Sequence, residues 1–259
     1  MPLDDSASPA ISVVIVAKNA EHTIARAVRS GRWAEELLVV DTGSSDRTAE
    51  IARREGAPVL THPWEGYAVT KQWAVDHARH DWVFLLDADE EIPEGLAQEI
   101  RKVLTSVSGA VHGFSCPRRS YFLGKWMRWG GWYPDRVVRL FQPAHGRFTK
   151  VHVHESIEVD GDLGLLQVPL EHYTDQSLEG YLEKLNVYTS LGARDLAEQG
   201  RRCWWWDLCL RPGWMFVRMA VFRLGILGGW RGMLLAALSS MHVLVKYAKL
   251  RHLNGNQRA

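Results

Sequence analysis

Two carboxylates one residue apart, Asp87 and Asp89 in Asp87-Ala88-Asp89-Glu90-Glu91, follow directly on five bulky apolar residues, Trp82 to Leu86. Such a pair can share a hard divalent cation, magnesium or manganese, which takes oxygen ligands and keeps positions free for phosphates. The cation then neutralises charge on a departing diphosphate. The apolar run reads as a strand buried on both faces whose carboxyl end opens on a crevice, so acids placed there face a ligand. The same letters also suit an acidic turn that starts a helix, with Ile92-Pro93-Glu94 as its first turn and proline near the first helical position. On this segment alone both readings stand.

The surrounding elements must decide. Ile11 to Val16 is a β-branched run that makes a strand ending at Lys18-Asn19. Ile24, Ala27 and Val28 recur at helical spacing over Thr23 to Ser30, and Leu37 to Val40 form a second buried strand ending at Asp41. Asp46 is placed to cap a helix from Arg47 to Glu55 that stops at Gly56. A third strand at Val59 to Thr61, a helix at Val69 to Ala78 and the strand from Trp82 complete the alternation. Strands separated by helices of about ten residues give βαβ units and an α/β architecture with a mostly parallel sheet. Ligands on such sheets sit beyond the carboxyl ends of the strands. Lys18, Asn19 and Glu21 after the first strand, Asp41 after the second, and Asp87 and Asp89 after the fourth converge on that rim, which disfavours a chance acidic turn. Neither a G-x-G-x-x-G turn nor a G-x-x-x-x-G-K-[ST] loop is present, so metal and side chains must meet the phosphate charge.

With 259 residues, 46% of them hydrophobic, the chain can bury a real core. Met1 to Ala10 is acidic, without a basic stretch leading into an apolar one, so no secretory signal and a cytoplasmic location are expected. Cys116, Cys203 and Cys209 show no metal-site spacing and read as ordinary thiols. The net charge of +1 hides an asymmetry: Arg201 to Ala259 carries ten basic residues against one acid, a net +9, which leaves residues 1–200 at −8. That split implies two partners of different electrostatics.

Gln176 to Glu198 has the apolar spacing of an amphipathic helix. Beyond it come Trp204-Trp205-Trp206, Arg211-Pro212-Gly213, an apolar segment from Trp214 to Leu227, a Gly228-Gly229 break and a second segment from Met233 to Val245. Neither segment reaches the ~18 uninterrupted apolar residues of a membrane span. Tryptophans beside arginines suit helices in the headgroup region of an anionic leaflet, where each nearby basic residue adds about 1 kcal/mol. Packing on the rest of the chain, or a dimer interface, is the alternative. No nucleic-acid partner is expected.

The segments Ser12-Val13-Val14-Ile15, Lys18-Asn19-Ala20-Glu21, Val39-Val40-Asp41-Thr42-Gly43-Ser44-Ser45-Asp46, Lys71, and Phe84-Leu85-Leu86-Asp87-Ala88-Asp89 together resemble the family-2 inverting glycosyltransferases with a GT-A fold. Gly131-Trp132-Tyr133-Pro134-Asp135-Arg136, Arg139-Leu140-Phe141 and Val153-His154-Glu155 are similar to the bacterial enzymes that add β-linked glucose to heptose of the lipopolysaccharide inner core. The resemblance covers 11–175 and implies a GT-A catalytic domain there, so the chain is expected to divide into a flexible terminus at 1–10, that domain, and a basic helical, membrane-associating region at 176–259. It implies a UDP-sugar donor, UDP-glucose above all, held by Lys18, Asn19, Glu21, Asp41, Lys71 and Asp87. Lys71 stands where the family carries an arginine, which loses the bidentate fork. It further implies a magnesium or manganese ion on Asp87 and Asp89, with His172 completing the shell, and a lipid-linked oligosaccharide acceptor at the cytoplasmic face of the inner membrane. Inverting transfer needs one base for the acceptor hydroxyl; Glu155 fits that position, with Asp135 as its rival. His152, His154 and His172 invite a zinc reading that lacks a matching further ligand. Trp126, Trp129 and Trp132 suit either sugar stacking or core packing. A polyprenyl-phosphate sugar transferase and an inactive glycan-binding protein are the rival readings.

Overall fold

A computed structural model describes residues 9–149, 156–175 and 177–256. The first half alternates β1 (Ile11–Ala17), α1 (Ile24–Gly31), β2 (Glu36–Asp41), α2 (Thr48–Arg54), β3 (Val59–Thr61), α3 (Tyr67–Asp76) and β4 (Trp82–Asp87). A two-residue β5 (Glu90–Glu91) and α4 (Glu94–Thr105), with Pro93 at its N-cap, follow. Next come β6 (Val111–Phe122), β7 (Lys125–Trp126), β8 (Asp135–Phe141), β9 (Gly146–Phe148), β10 (Ile157–Val159), β11 (Asp162–Leu165) and β12 (Leu170–Asp175). The chain closes with α5 (Leu178–Glu198), α6 (Trp205–Val217), a π turn (Arg218–Phe222), a 3₁₀ turn (Gly225–Gly228) and α7 (Trp230–Asn256). The strand and helix alternation expected from the apolar runs is present, with ends shifted by one or two residues.

The main sheet runs β3-β2-β1-β4-β8-β6-β12-β5. Its first four strands are parallel, and β8 turns antiparallel to β4. Burial on both sides explains the unbroken apolar runs. Trp82, Phe84 and Leu86 of β4 pack with Ile24, Val28, Leu96 and Ile100 on one face, and Val83 and Leu85 with Val14, Val40, Ala74 and Phe141 on the other. Each such side chain contributes about 1.5–3 kcal/mol of burial. The register is what matters for function: Ala17 lies opposite Asp41, Val16 opposite Asp87, and Asp41 opposite Thr61. The carboxyl ends of all four parallel strands are therefore level.

The described residues form two compact units whose segments interleave along the chain, 9–118, 136–149 and 156–172 in the first and 119–135, 173–175 and 177–256 in the second. The sheet's parallel half belongs to the first. In the second, Phe122 and Met127 from the β6–β7 hairpin form one apolar cluster with Met219, Ala220, Leu235 and Leu238. The Ser177 hydroxyl caps α5 by accepting from the Gly180 N–H at 3.0 Å.

The helical region differs from expectation in two ways. α6 runs on through Arg211-Pro212-Gly213 and joins the tryptophans before it to the start of the apolar segment after it: Pro212 is buried, and the Ser240 hydroxyl donates to its carbonyl at 2.8 Å. α7 is one helix of 27 residues, longer than the Met233 to Val245 segment, and its Trp230–Gly255 stretch is by length and composition long and apolar enough to cross a membrane, with mean hydropathy 1.3 and 28% of its apolar window buried. Counting uninterrupted apolar residues stops at Lys246, but the helix does not. Lys249 is absorbed by α5, its Nζ donating to the Asn186 carbonyl and Oδ1, the Thr189 hydroxyl and the Ser190 hydroxyl at 2.7–2.9 Å.

Candidate active site

The loops after β1 and β2 are laced together by side chains. Asn19, in the left-handed region at φ 49, donates its N–H to Ser44 Oγ and accepts from the Ser45 N–H through Oδ1, both at 2.9 Å. The Ala20 N–H donates to Thr48 Oγ1 at 2.7 Å and the Glu21 N–H to Asp46 at 3.1 Å. Gly43, at φ 87, makes the turn that permits this interlock. The N-cap of α2 is Arg47 rather than the expected Asp46, which stands one residue earlier and accepts from the Thr48 N–H at 3.0 Å. Burial pushes its carboxyl up, but the Thr48 hydroxyl, the Thr48 N–H and the Glu21 N–H together hold it below the usual range. Asp41 is buried and accepts from the Ser44 hydroxyl and N–H, while Glu21 accepts from Arg47 Nε at 3.3 Å. Lys18 is exposed beside them. Lys18, Asn19, Glu21 and Asp41 thus meet on one rim, with Asp41 oriented by its own loop.

At the end of β4 the two acids of the pair have different surroundings. Asp87 receives Lys71 Nζ at 2.8 Å on one oxygen and the Arg139 guanidinium on the other. Lys71 comes from the buried face of α3, and Arg139 from the middle of β8. Glu90 is buried, accepts from Arg139 at 2.6 Å and from the Asp87 N–H at 3.1 Å, and lies 3.6 Å from Arg118. Burial alone raises the Asp87 pKa; the charges of Arg139 and Lys71, and the Lys71 hydrogen bond, outweigh it and hold the carboxyl far below the usual range. Burial lowers the Arg139 pKa, and Asp87 and Glu90 more than reverse that, so the guanidinium stays charged. Removing one partner from so buried a network costs about 3–5 kcal/mol.

Asp89 lies two residues beyond Asp87 along the turn. Its side chain is 28% exposed, and its Oδ2 lies 3.6 Å from Nε2 of His172, which β12 delivers through the pairing of His172 with Glu90 of β5. Among the described residues no group of three or more His, Cys, Asp and Glu side chains gathers at metal-binding distance. A carboxylate and an imidazole side by side, with the other positions left to substrate oxygens and water, match the one or two protein ligands that magnesium and manganese sites on phosphates use. The chemistry of this donor set fits such an ion. Asp87, with both oxygens engaged, sets the position of the turn that carries Asp89.

Asp135 is the first residue of β8, in the second unit; Glu155, His152 and His154 lie outside the described residues. Trp132 joins the apolar cluster around Phe122, while Trp126 lies under the Arg119 guanidinium at 4.9 Å and edge-on to Tyr133 at 5.4 Å. Arg128 lies 5.3 Å over Trp129. Cys116 is buried and its thiol is pushed up to about 12, chiefly by that burial, so it stays protonated. Sequence reasoning missed Glu90, Arg118 and the pairing role of Arg139. The available signal was an arginine in the middle of Val137-Val138-Arg139-Leu140-Phe141, where a charge is kept only if an acid meets it.

Residues 12–154, more than half of the chain, match the family model described as glycosyl transferase family 2. The chain is 30% identical over 265 residues to an uncharacterized glycosyltransferase, RT0209, of Rickettsia typhi, covering 96% of this chain and 89% of that one. It is 29% identical over 256 residues to the lipopolysaccharide core biosynthesis glycosyltransferase LpsC of Rhizobium meliloti, covering 93% and 91%. Among solved structures it is similar to the mannosyltransferase PcManGT of Pyrobaculum calidifontis in complex with GDP-Man and Mn2+, with TM-score 0.54, 14% identity and coverage of 95% and 88%. It is also similar to glucosyl-3-phosphoglycerate synthase of Mycobacterium tuberculosis in complex with phosphoglyceric acid, with TM-score 0.50, 17% identity and coverage of 75% and 81%. At such identities the structural likeness shows the fold alone, which is GT-A. By its family model and its relatives, the chain belongs to glycosyl transferase family 2.

Proposed function

We propose that the protein transfers a sugar, glucose from UDP-glucose, with inversion onto a lipid-linked saccharide such as the heptose of the lipopolysaccharide inner core, at the cytoplasmic face of the inner membrane. The observation that carries the transfer reading is the Asp89–His172 pair, 3.6 Å apart, beside an Asp87 locked by Lys71 and Arg139 on a rim where strand ends are level. The role of the relative LpsC in lipopolysaccharide core biosynthesis supports the acceptor.

Asn19, Glu21 and Asp41 hold the nucleoside on this reading, with Lys18 beside them. Asp89 and His172 would hold a magnesium or manganese ion, which would supply positive charge against the leaving diphosphate. Glu155, outside the described residues, takes the proton of the acceptor hydroxyl; the freed oxygen bonds to the anomeric carbon as the bond to the diphosphate breaks and UDP departs with the electron pair. Asp135 is the rival base. Glu155→Gln abolishes transfer while donor binding survives, and near-normal turnover in that variant moves the role to Asp135.

The length of α7 supports a second reading, in which the acceptor is a polyprenyl phosphate. A panel of nucleotide sugars, each offered heptose-bearing core saccharide or polyprenyl phosphate with and without manganese, distinguishes the two by nucleoside diphosphate release. The first reading requires UDP release with core saccharide only.

A further inference from the structure

α6 and the turns after it leave a row of large apolar side chains facing outward. Trp206, Leu210, Trp214, Val217 and Val221 recur every three or four residues on one face and are all exposed, Leu210 at 66% and Trp214 at 59%. The turn that reverses the chain adds Phe222 at 67% and Ile226 at 61%, with Leu224, Leu227 and Trp230 beside them. At 1.5 Å per residue the row from Trp206 to Val221 runs about 22 Å. A continuous apolar surface of this extent marks an interaction site.

The opposite face of the same segment is already used. Met219 and Ala220 pack against Leu235, Ala236 and Leu238 of α7, and the reversal is backbone on backbone: a Cβ on Gly232 would lie 2.0 Å from the Gly225 carbonyl oxygen. The outward row is therefore held on a rigid hairpin. Charge says what covers it. Residues 201–259 contain one acid, Asp207, and it is turned inward, accepting from the Trp204 N–H at 2.9 Å and from Arg211 Nε. Arg202, Arg218 and Arg223 are exposed along the same hairpin, and the Arg231 guanidinium lies 4.5 Å over the Trp230 ring. Exposed aromatic and aliphatic residues flanked by basic residues, with no acid on the outer face, complement a surface that is apolar below and anionic above.

We infer that the Trp206–Val221 stripe and the Phe222–Trp230 turn lie in the plane of an anionic lipid leaflet, at the boundary of headgroups and acyl chains, and that α7 does not cross the bilayer. Arg218 and Arg223 interrupt the apolar row too often for a deep insertion but reach the headgroups from a shallow one. α7 packs on α5, Leu235 and Leu238 with Tyr181, and Tyr247 and Leu250 with Ala193, and Lys249 bonds α5 near the end of α7, while α5 exposes Glu179, Glu183 and Lys184. A crossing α7 would draw those charges into hydrocarbon. The inference deepens the lipid-linked acceptor reading and rests on it only for its biological sense.

The test uses the full chain with vesicles of phosphatidylcholine alone or mixed with phosphatidylglycerol, and no donor or acceptor, so its failure and the failure of the transfer reading are separate results. Wild type partitions at least about tenfold more strongly onto the anionic vesicles, and the triple variant Leu210→Ser/Phe222→Ser/Ile226→Ser loses at least about tenfold of that binding. The variant keeps its far-ultraviolet circular dichroism and its UDP release with a water-soluble acceptor. Cell membranes release the wild type in alkaline carbonate. Equal binding to both vesicle types, or binding untouched by the triple substitution, overturns the inference. So does retention in carbonate, which means a crossing helix, or a wild-type dimer that the triple variant dissolves while vesicle binding stays the same.

Discussion

At the amino edge of the parallel sheet, Glu36 accepts from the Ser12 hydroxyl at 2.6 Å and from the N–H and Nε of Arg79 at 2.7 and 2.6 Å. At the carboxyl edge, Asp87 and Glu90 share Arg139, with Lys71 and Arg118 alongside. Both clusters bury acids against guanidinium groups, yet the first joins β1, β2 and the residues after α3, whereas the second draws on α3, β4, β5, β6 and β8. The amino-edge acid is satisfied by its donors, and the Ser12 hydroxyl in turn accepts from the His80 N–H at 3.2 Å. The carboxyl-edge cluster instead fixes the turn that leads two residues further to Asp89, which faces His172 and solvent. On the proposed function, neighbouring carboxylates of one motif take opposite parts, Asp87 anchoring and Asp89 binding.

Substitutions at the two edges separate anchoring from binding. Asp89→Ala is expected to lower sugar transfer about 10⁴-fold, ~5 kcal/mol of lost charge stabilisation, with little change in thermal midpoint, measured by UDP release and by melting. Arg139→Met leaves the buried Glu90 and the half-buried Asp87 without their shared partner; urea denaturation should show a loss of about 3 kcal/mol, and transfer should fall with it. Glu36→Gln at the amino edge should cost about 1–3 kcal/mol of stability in the same assay while UDP release by the folded protein is unchanged. A Glu36 variant that lost activity while folded would break the comparison.

The smallest effect is read from pH. Because the folded Asp87 carboxyl sits below its unfolded value, its stabilisation is fully present above the unfolded pKa of about 4 and is lost as pH falls through the folded one. The stability difference between wild type and Asp87→Asn should stay constant from neutral pH down to about 4 and narrow only below that. Narrowing already between pH 7 and about 5 would mean that Arg139 and Lys71 do not hold the carboxyl.

The carboxyl edge was half legible in the amino-acid sequence. Apolar runs such as Trp82 to Leu86 announce a strand buried on both faces, and polar residues at the end of each run announce the rim, so Asn19, Asp41, Asp87 and Asp89 are found without coordinates. What holds them is not, because Arg139 reaches Asp87 only through the antiparallel pairing of β8 with β4, a contact 52 residues apart in the chain. Glu90 reads as one more letter of an acidic turn, though it is the most buried acid of the rim. In the helical region the apolar segments are delimited by Arg211-Pro212-Gly213 and by Lys246, a proline that interrupts helices and a charge that interrupts only an apolar run. Both helices nonetheless continue: Pro212 is buried with its carbonyl accepting from the Ser240 hydroxyl, and Lys249, three residues beyond Lys246, is bonded by the α5 hydroxyls.

Calorimetric titration of UDP into the protein, with manganese and with a chelator, for wild type and Asp89→Ala, addresses the binding role of the acidic turn most directly. The account predicts wild-type binding at least about tenfold tighter with manganese, and no such difference in Asp89→Ala. UDP affinity that ignores the chelator, or manganese dependence that survives loss of the Asp89 carboxylate, would contradict it.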